Sequence, residues 1–142
     1  MIIRYLDFPC PGDTFPVGCK PGQSVVFVED SFLGNPDLED GRYNTELGMY
    51  QPGCGIENLL MSWGHDEYLY QVTSQYNDND HTNETSDQVV RNHMAKAGTA
   101  IPDGGLWAIR FHSCYPWHAG GDYKHLESDK DQEILKWVLE FK

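Results

Sequence analysis

The chain has 142 residues, a formal net charge of −12 and an aromatic content of 13%. Its length indicates a single domain with a substantial core, and its acidic surface excludes nucleic acid as an expected partner because it repels phosphate backbones. No apolar run approaches the roughly 20 residues of a membrane span, and the polar start does not resemble a signal peptide, so we expect a cytoplasmic protein without a membrane partner.

Glycine and proline crowd residues 1–55, in runs such as "PCPGDTFPVGCKPGQ" and "YQPGCG". Both residue types mark turns and interrupt periodic elements, so an irregular segment is predicted here. The run "SVVFVED" at residues 24–30 is the strand-like exception, which allows at most one short strand or hairpin. Irregular segments of this length are usually functional, and we expect this one to form a substrate loop.

A helix is predicted over residues 56–73. One apolar stripe follows the spacing i, i+3, i+4, i+7 and consists of Ile56, Leu59, Leu60 and Trp63. A second stripe beside it consists of Met61, His65, Tyr68, Leu69 and Val72. A helix that is apolar on two faces is buried on most sides, so we expect this element in the core.

Residues 74–105 are polar and acidic and are interpreted as a surface insertion. Residues 106–142 return to a helical pattern. A helix over 106–118 is expected to stop near Pro116, because proline disfavours helix at the residue before it. Ser128 is the expected N-cap of the last helix. Its predicted apolar face consists of Ile134, Leu135, Val138 and Phe141. The pattern as a whole predicts a mainly α fold.

Two histidines fall on the two predicted central helices. His65 lies on an apolar stripe, where a core histidine with one hydrogen bond is the simplest interpretation, and the same holds for His112 at the end of its helix. Asp66 follows His65 but lies about 100° around a helix, so the adjacent pair is not expected to hold one metal ion. Ligands on facing helices do form iron and zinc sites, but two ligands alone do not define one.

Other chemistries have less support in the sequence. No glycine-rich phosphate loop and no nucleophile elbow occurs. Cys114 follows His112 by two positions, which does not specify a thiol catalyst. The cysteines lack zinc-binding spacing and are expected to be free thiols. They are Cys10, Cys19, Cys54 and Cys114.

Longer stretches of the chain resemble the inositol oxygenase family. They are "GDTFPVGC" at residues 12–19, "NPDLED" at 35–40, "RYNTELGMYQPGCGIENLLMSWGHDEYLYQV" at 42–72 and "IRFHSCYPWHAGGDY" at 109–123. The closing "LKWVLEF" fits as well. The resemblance covers most of the chain, and its long ungapped stretch is far more specific than any short motif.

The resemblance implies an all-helical fold related to the HD-domain superfamily, incomplete here, and an oxygenase that cleaves myo-inositol with O2 to D-glucuronate. It implies two iron ions as cofactors, with His65 on one and His112 on the other, whereas Asp66 does not match a family ligand. It also implies that Gly12, Asp13, His112 and Ser113 contact myo-inositol, and that the protein is a monomer.

The family's other iron ligands have no counterpart in these residues. Family members carry six ligands, among them the His-Asp pair of an "HDLGK" motif, and this chain matches two. We therefore expect the chain to correspond to the C-terminal part of an inositol oxygenase, as a truncated gene product, a fragment or a degenerate paralogue. The 142 residues alone are expected to be inactive. The alternative is a non-catalytic paralogue or fragment that acts as a binding or partner subunit.

Overall fold

The structure, a computed structural model, describes residues 13–77 and 101–141. Within these ranges the α-helices are α1 (Val28–Ser31), α2 (Pro36–Glu39), α3 (His65–Asn77), α4 (Asp103–Phe111), α5 (Tyr115–His118) and α6 (Asp131–Glu140). Two 3-10 turns cover Ile56–Asn58 and Lys124–Leu126. The described residues contain no β-strand beyond an isolated antiparallel bridge between Pro16 and Met61. The prediction of a mainly α fold is confirmed.

The core forms where α4 packs against both α3 and α6. Its centre is a set of fully buried side chains from four separate segments, which are Ile56, Phe111, Leu126 and Ile134. Gly104 allows the closest part of this packing, because a Cβ there would overlap the Trp137 ring of α6. In the described parts of the chain, no helix is both long and apolar enough to cross a membrane.

A helix was predicted over residues 56–73, but the observed helix α3 begins only at His65. The prediction was therefore wrong for residues 56–64. Residues 60–62 instead run antiparallel to residues 15–17, with hydrogen bonds from Val17 N to Leu60 O (2.8 Å) and from Ser62 N to Phe15 O (2.8 Å). Burial in this extended stretch alternates along the chain, with Leu59 and Met61 buried, and does not follow the predicted helical stripe. Leu60 is exposed between two buried neighbours, and Trp63 is 61% exposed.

The helix predicted over residues 106–118 is two helices. α4 begins three residues earlier than predicted and ends at Phe111, and Pro116 occupies the first turn of α5. Proline fits there because the first N–H groups of a helix have no intrahelical partner. The prediction that Pro116 ends a helix was therefore wrong.

The last helix also begins later than predicted. α6 starts at Asp131, and its N-cap is Lys130 rather than Ser128. Ser128 instead donates its N–H and hydroxyl to the Asp131 carboxylate, at 2.6 and 3.1 Å. Ile134 and Val138 are buried as predicted, but Phe141 is 64% exposed.

The first described residues are irregular, as the glycine and proline content predicts. The strand-like run at residues 24–30 is not a strand, since α1 covers its end and Phe27 has a left-handed backbone with φ of 53°. This segment packs on a small apolar cluster of its own, made of Phe15, Val17, Val25 and Phe32. Cys10 and most of the predicted 74–105 insertion lie outside the described residues.

Candidate metal centre

Two helix ends meet at the candidate site. His65 is the first residue of α3, and His112 is the residue that ends α4. Their Nε2 atoms lie 3.3 Å apart although 47 positions separate them in the chain. Both imidazoles are partly open to solvent, with side-chain exposures of 65% and 43%. The prediction of a core histidine at position 65 was therefore wrong.

Asp66 lies beneath the two imidazoles and is fully buried. Its Oδ1 is 2.6 Å from His65 Nε2, and its Oδ2 accepts hydrogen bonds from Thr14 Oγ1 (2.9 Å) and Ser113 N (3.3 Å). The prediction that adjacent residues diverge assumed that His65 lies in mid-helix. At the first residue of α3 the imidazole instead folds back over the carboxylate, so the pair converges.

The three side chains present a suitable donor set for a divalent transition metal. One ligand atom from each of His65, Asp66 and His112 lies within 4.8 Å of the others. His112 Nδ1 is 2.9 Å from the carbonyl oxygen of Ile109. Because a carbonyl only accepts, Nδ1 is the donor, which leaves the Nε2 lone pair of the neutral ring pointing at the cluster. Imidazole and carboxylate groups are the donors that non-haem iron takes in proteins.

Three of the four residues predicted to contact substrate lie in or next to this cluster. Thr14 N donates to Ser113 O at 2.9 Å, which places Asp13 beside the His112–Ser113 segment. Asp13 is half-buried, and its Oδ2 accepts a hydrogen bond from Val26 N at 3.3 Å. Gly12 lies outside the described residues. The structure thus brings three of the four predicted residues together, while their role as substrate contacts stays a prediction.

A buried ion pair holds the two helix ends in place. Arg110 Nε donates to Glu67 Oε2 at 2.8 Å, and its terminal nitrogens donate to the carbonyl oxygens of Glu57 (2.6 Å) and Leu59 (3.0 Å). Both charged side chains are more than nine-tenths buried. Because Glu67 and Arg110 lie two positions from His65 and His112, this pair sets the spacing of the histidines.

The structure does not favour Cys114 as a nucleophile beside His112. It is fully buried, and burial raises the pKa of its thiol to about 12, which disfavours the thiolate at neutral pH. His118 lies close by but directs Nε2 at the His112 carbonyl oxygen, at 3.1 Å. It therefore supports the backbone of His112 rather than the donor cluster.

Several residues of this site were not predicted from the sequence. Thr14, Glu67 and Arg110 carry no recognisable motif, since their partners are 43 to 53 positions away along the chain. Asp66 is adjacent to His65 in the sequence, but the predicted helix places both residues in mid-helix, where neighbouring side chains diverge. A correct helix start would have put both residues in the first turn, where a side chain can fold back toward the helix end.

The fold and the site define a class: a helical protein with a His-Asp-His donor cluster suited to a non-haem metal ion, formed where two helix ends meet. Comparison with known sequences then identifies the family. The sequence model described as "Myo-inositol oxygenase" matches residues 6–95 and 84–142. The chain belongs to the myo-inositol oxygenase family.

Curated relatives extend this finding. The chain is 52% identical over 130 residues to inositol oxygenase of Mus musculus and 50% identical to that of Homo sapiens. It is 42% identical to inositol oxygenase 5 of Arabidopsis thaliana. Each comparison covers 92% of this chain but only 38%, 38% and 34% of the relative. The chain thus spans well under half the length of the curated relatives it matches.

Proposed function

We propose that this chain forms an iron-binding part of an inositol oxygenase, the activity that its relatives' names state. In the proposed reaction, myo-inositol and O2 yield D-glucuronate, a proton and water. The observation that carries the proposal is the 3.3 Å approach of the His65 and His112 Nε2 atoms, in a chain of this family. Family membership supports this reaction, and the convergence of the donor atoms supports a metal site at this position.

Both histidines are proposed to bind the same ion. Two ligand atoms that each lie about 2.1 Å from one ion, at right angles, are about 3 Å apart. The observed 3.3 Å fits this arrangement. This revises the expectation that His65 and His112 serve different irons. A second ion would need ligands from elsewhere.

The proposed substrate site lies beside the metal centre. An iron ion bound there would act as a Lewis acid toward substrate hydroxyls and provide a site for O2. The chain's own part is to bind and orient the ring. Asp13, Ser113 and the adjoining Gly12 are the proposed contacts, and a neutral polyol needs such dense polar groups to be selected over its analogues.

A segment exchange tests this function directly. The 130 matched residues of the Mus musculus relative would be replaced by those of this chain, and D-glucuronate formation from myo-inositol would be measured. We expect turnover, and we expect H65A and H112A each to abolish it. A folded, iron-loaded chimera that consumes no O2 with myo-inositol would show that this segment has lost the family activity.

A non-catalytic role is the second candidate, because four large apolar side chains within five positions of His65 are exposed. They are Leu60, Trp63, Tyr68 and Leu69. Exposed apolar side chains that form a patch are typical of a surface that another polypeptide covers. Sedimentation of the metal-free chain distinguishes the two functions: a monomer fits the catalytic proposal, and a stable dimer favours a partner subunit.

We propose a cytoplasmic location, which the free thiols of Cys19, Cys54 and Cys114 support.

A further inference from the structure

We infer that a pocket formed by residues 20–23, 46 and 121–125 binds a small hydroxylated anion. The pocket has a volume of about 360 Å³ and shares no residue with the donor cluster. This volume lies at the small end of the roughly 300–1,000 Å³ typical of ligand pockets. The charged and polar side chains considered below are Lys20, Glu46, Asp122, Tyr123, Lys124 and His125. The inference goes beyond the proposed function and does not depend on it.

Hydrogen bonds between the segments hold the walls of this pocket together. Gly22 N donates to the Tyr123 hydroxyl oxygen at 2.7 Å, which joins the first and last segments. His125 Nε2 donates to the carbonyl oxygen of Glu46 at 2.8 Å, because a carbonyl only accepts. A pocket braced in this way is preformed, so little conformational freedom is lost when a ligand enters.

The first argument for an anion is that two unpaired ammonium groups line the same pocket. In the parts of the chain that the structure describes, three lysines form no ion pair, and they are Lys20, Lys124 and Lys136. The other three described lysine and arginine side chains each pair with a carboxylate, as expected where 22 acidic residues accompany 10 basic ones. Lys20 and Lys124 come from distant parts of the sequence to this one pocket. Ammonium groups without a paired carboxylate are available to bind a carboxylate or phosphate group.

The second argument is the hydroxyl group of Tyr123. This side chain lines the pocket although the residue is only 4% exposed. Its oxygen accepts the bond from Gly22 N, and its proton has no acceptor among the described residues. A buried donor without an acceptor is costly, and an anion in the pocket would supply the acceptor. Tyr123 also has a left-handed backbone, with φ of 63°, and such strain in a bulky residue is concentrated at functional sites.

The acidic side chains of the pocket indicate the rest of the ligand. Glu46 and Asp122 line the pocket but form no ion pair with any described residue. Carboxylates only accept hydrogen bonds, so they suit the hydroxyl groups of a ligand. A molecule with one acid group and several hydroxyl groups therefore matches both the bases and the acids of the pocket.

Titration of the metal-free 142-residue chain with three related ligands tests the inference. D-glucuronate, D-glucose 6-phosphate and D-glucose present the same hydroxylated ring with a carboxylate, a phosphate and no charged group. Isothermal titration calorimetry is expected to show one site per chain and binding of at least one anion about 10-fold or more tighter than D-glucose. The tighter anion identifies the acid group. A chain that binds neither anion more tightly than D-glucose overturns the inference.

Lysine variants connect this binding to the pocket. K20A and K124A are each expected to weaken binding by about 10-fold or more, because each removes a charged donor. Both side chains are exposed, so both variants should keep the wild-type melting temperature. K136A is the matched control, since it removes an unpaired lysine that lies outside the pocket, and it is expected to keep wild-type affinity. Equal weakening in all three variants would assign the effect to overall charge and overturn the site.

Backbone amide NMR spectra of the wild-type chain locate the ligand without any substitution. We expect the largest shifts on adding the tighter anion at Gly22, Gly121 and Lys124. Shifts confined to residues around His65 and His112 would overturn the inference. Failure here is distinct from failure of the proposed function, because the chimera can turn over myo-inositol with this pocket empty, and a chain without turnover can still bind an anion in it.

Discussion

At the scale of single residues, two buried aspartates organise the molecule. Asp66 joins the first described loop, the start of α3 and the end of α4 through its bonds to Thr14 and Ser113. Asp131 joins α6 to the 3-10 turn at Ile56, whose N–H donates to Oδ2 at 3.0 Å. Hydrogen bonds to a charged acceptor contribute about 1.5–3 kcal/mol to stability. The bonds to each carboxylate therefore offset part of the free-energy cost of burying it.

Buried cysteine and tyrosine side chains predict how the stability of the fold changes at alkaline pH. Burial raises the pKa of the Cys19 and Cys114 thiols from 9.0 to about 12, and that of Tyr50 from 10.0 to about 12. Between pH 9 and 12 the unfolded chain therefore binds fewer protons than the folded one. The stability from these neutral groups is complete below pH 9 and is lost as pH rises toward 12.

The measurement is the free energy of unfolding in urea from pH 8 to 11. We expect a steady fall above pH 9, and a smaller fall in C19S, which removes one of the titrating thiols. C54S is the control because that thiol is only half-buried. A flat profile to pH 11 would contradict the expectation.

At the scale of elements, Arg110 connects three segments. It leaves α4, pairs with Glu67 of α3, and donates to carbonyl oxygens in residues 57–59. Its guanidinium also lies 4.6 Å from the Tyr70 ring centroid. α3 and α4 pack side by side, and Arg110 links both of them to residues 57–59.

R110A is expected to destabilise the chain by about 3–5 kcal/mol, because it leaves Glu67 buried without its counter-charge. Urea denaturation measures this loss. K130A is the matched control, since Lys130 pairs with Glu57 at 2.8 Å on the surface. Exposed pairs of this kind contribute little to stability, because solvent screens the two charges. An R110A variant as stable as K130A would show that the buried pair does not hold α3 and α4 together.

At the scale of the whole molecule, irregular segments that are distant in the chain are joined by backbone hydrogen bonds, in addition to the packing of the helices. Residues 18–20 lie against residues 45–49, with hydrogen bonds from Lys20 N to Thr45 O and from Met49 N to Gly18 O, both 2.9 Å. Gly48 makes this close approach possible. Its φ is +55°, and a Cβ there would overlap the Gly18 carbonyl oxygen and the Cys19 Cα.

G48A is expected to cost more than about 2 kcal/mol of stability, because alanine strains the backbone and separates the two segments. G41A provides the comparison, since a Cβ at Gly41 meets nothing within 4 Å. Its effect should lie within about 0.5 kcal/mol of zero. Equal thermal shifts for the two variants would mean that the pairing contributes little to the fold.

The sequence by itself determined the helical class, the irregular glycine-rich segment and the buried face of α6 at Ile134 and Val138. These features follow from composition and from the 3.6-residue period, which are local properties of the chain. Spacing alone favoured core histidines at positions 65 and 112. The family resemblance named these two as iron ligands, and it named Gly12, Asp13, His112 and Ser113 as substrate contacts.

Only the tertiary structure decided where the helices begin and which side chains meet. Residues 60–62 satisfy a helical spacing, but their backbone pairs with residues 15–17, and this delays α3 until His65. That delay is what turns His65 and Asp66 toward one another and toward His112. The physical reason is that a helical spacing expresses only a weak local preference, which backbone pairing with distant residues can override.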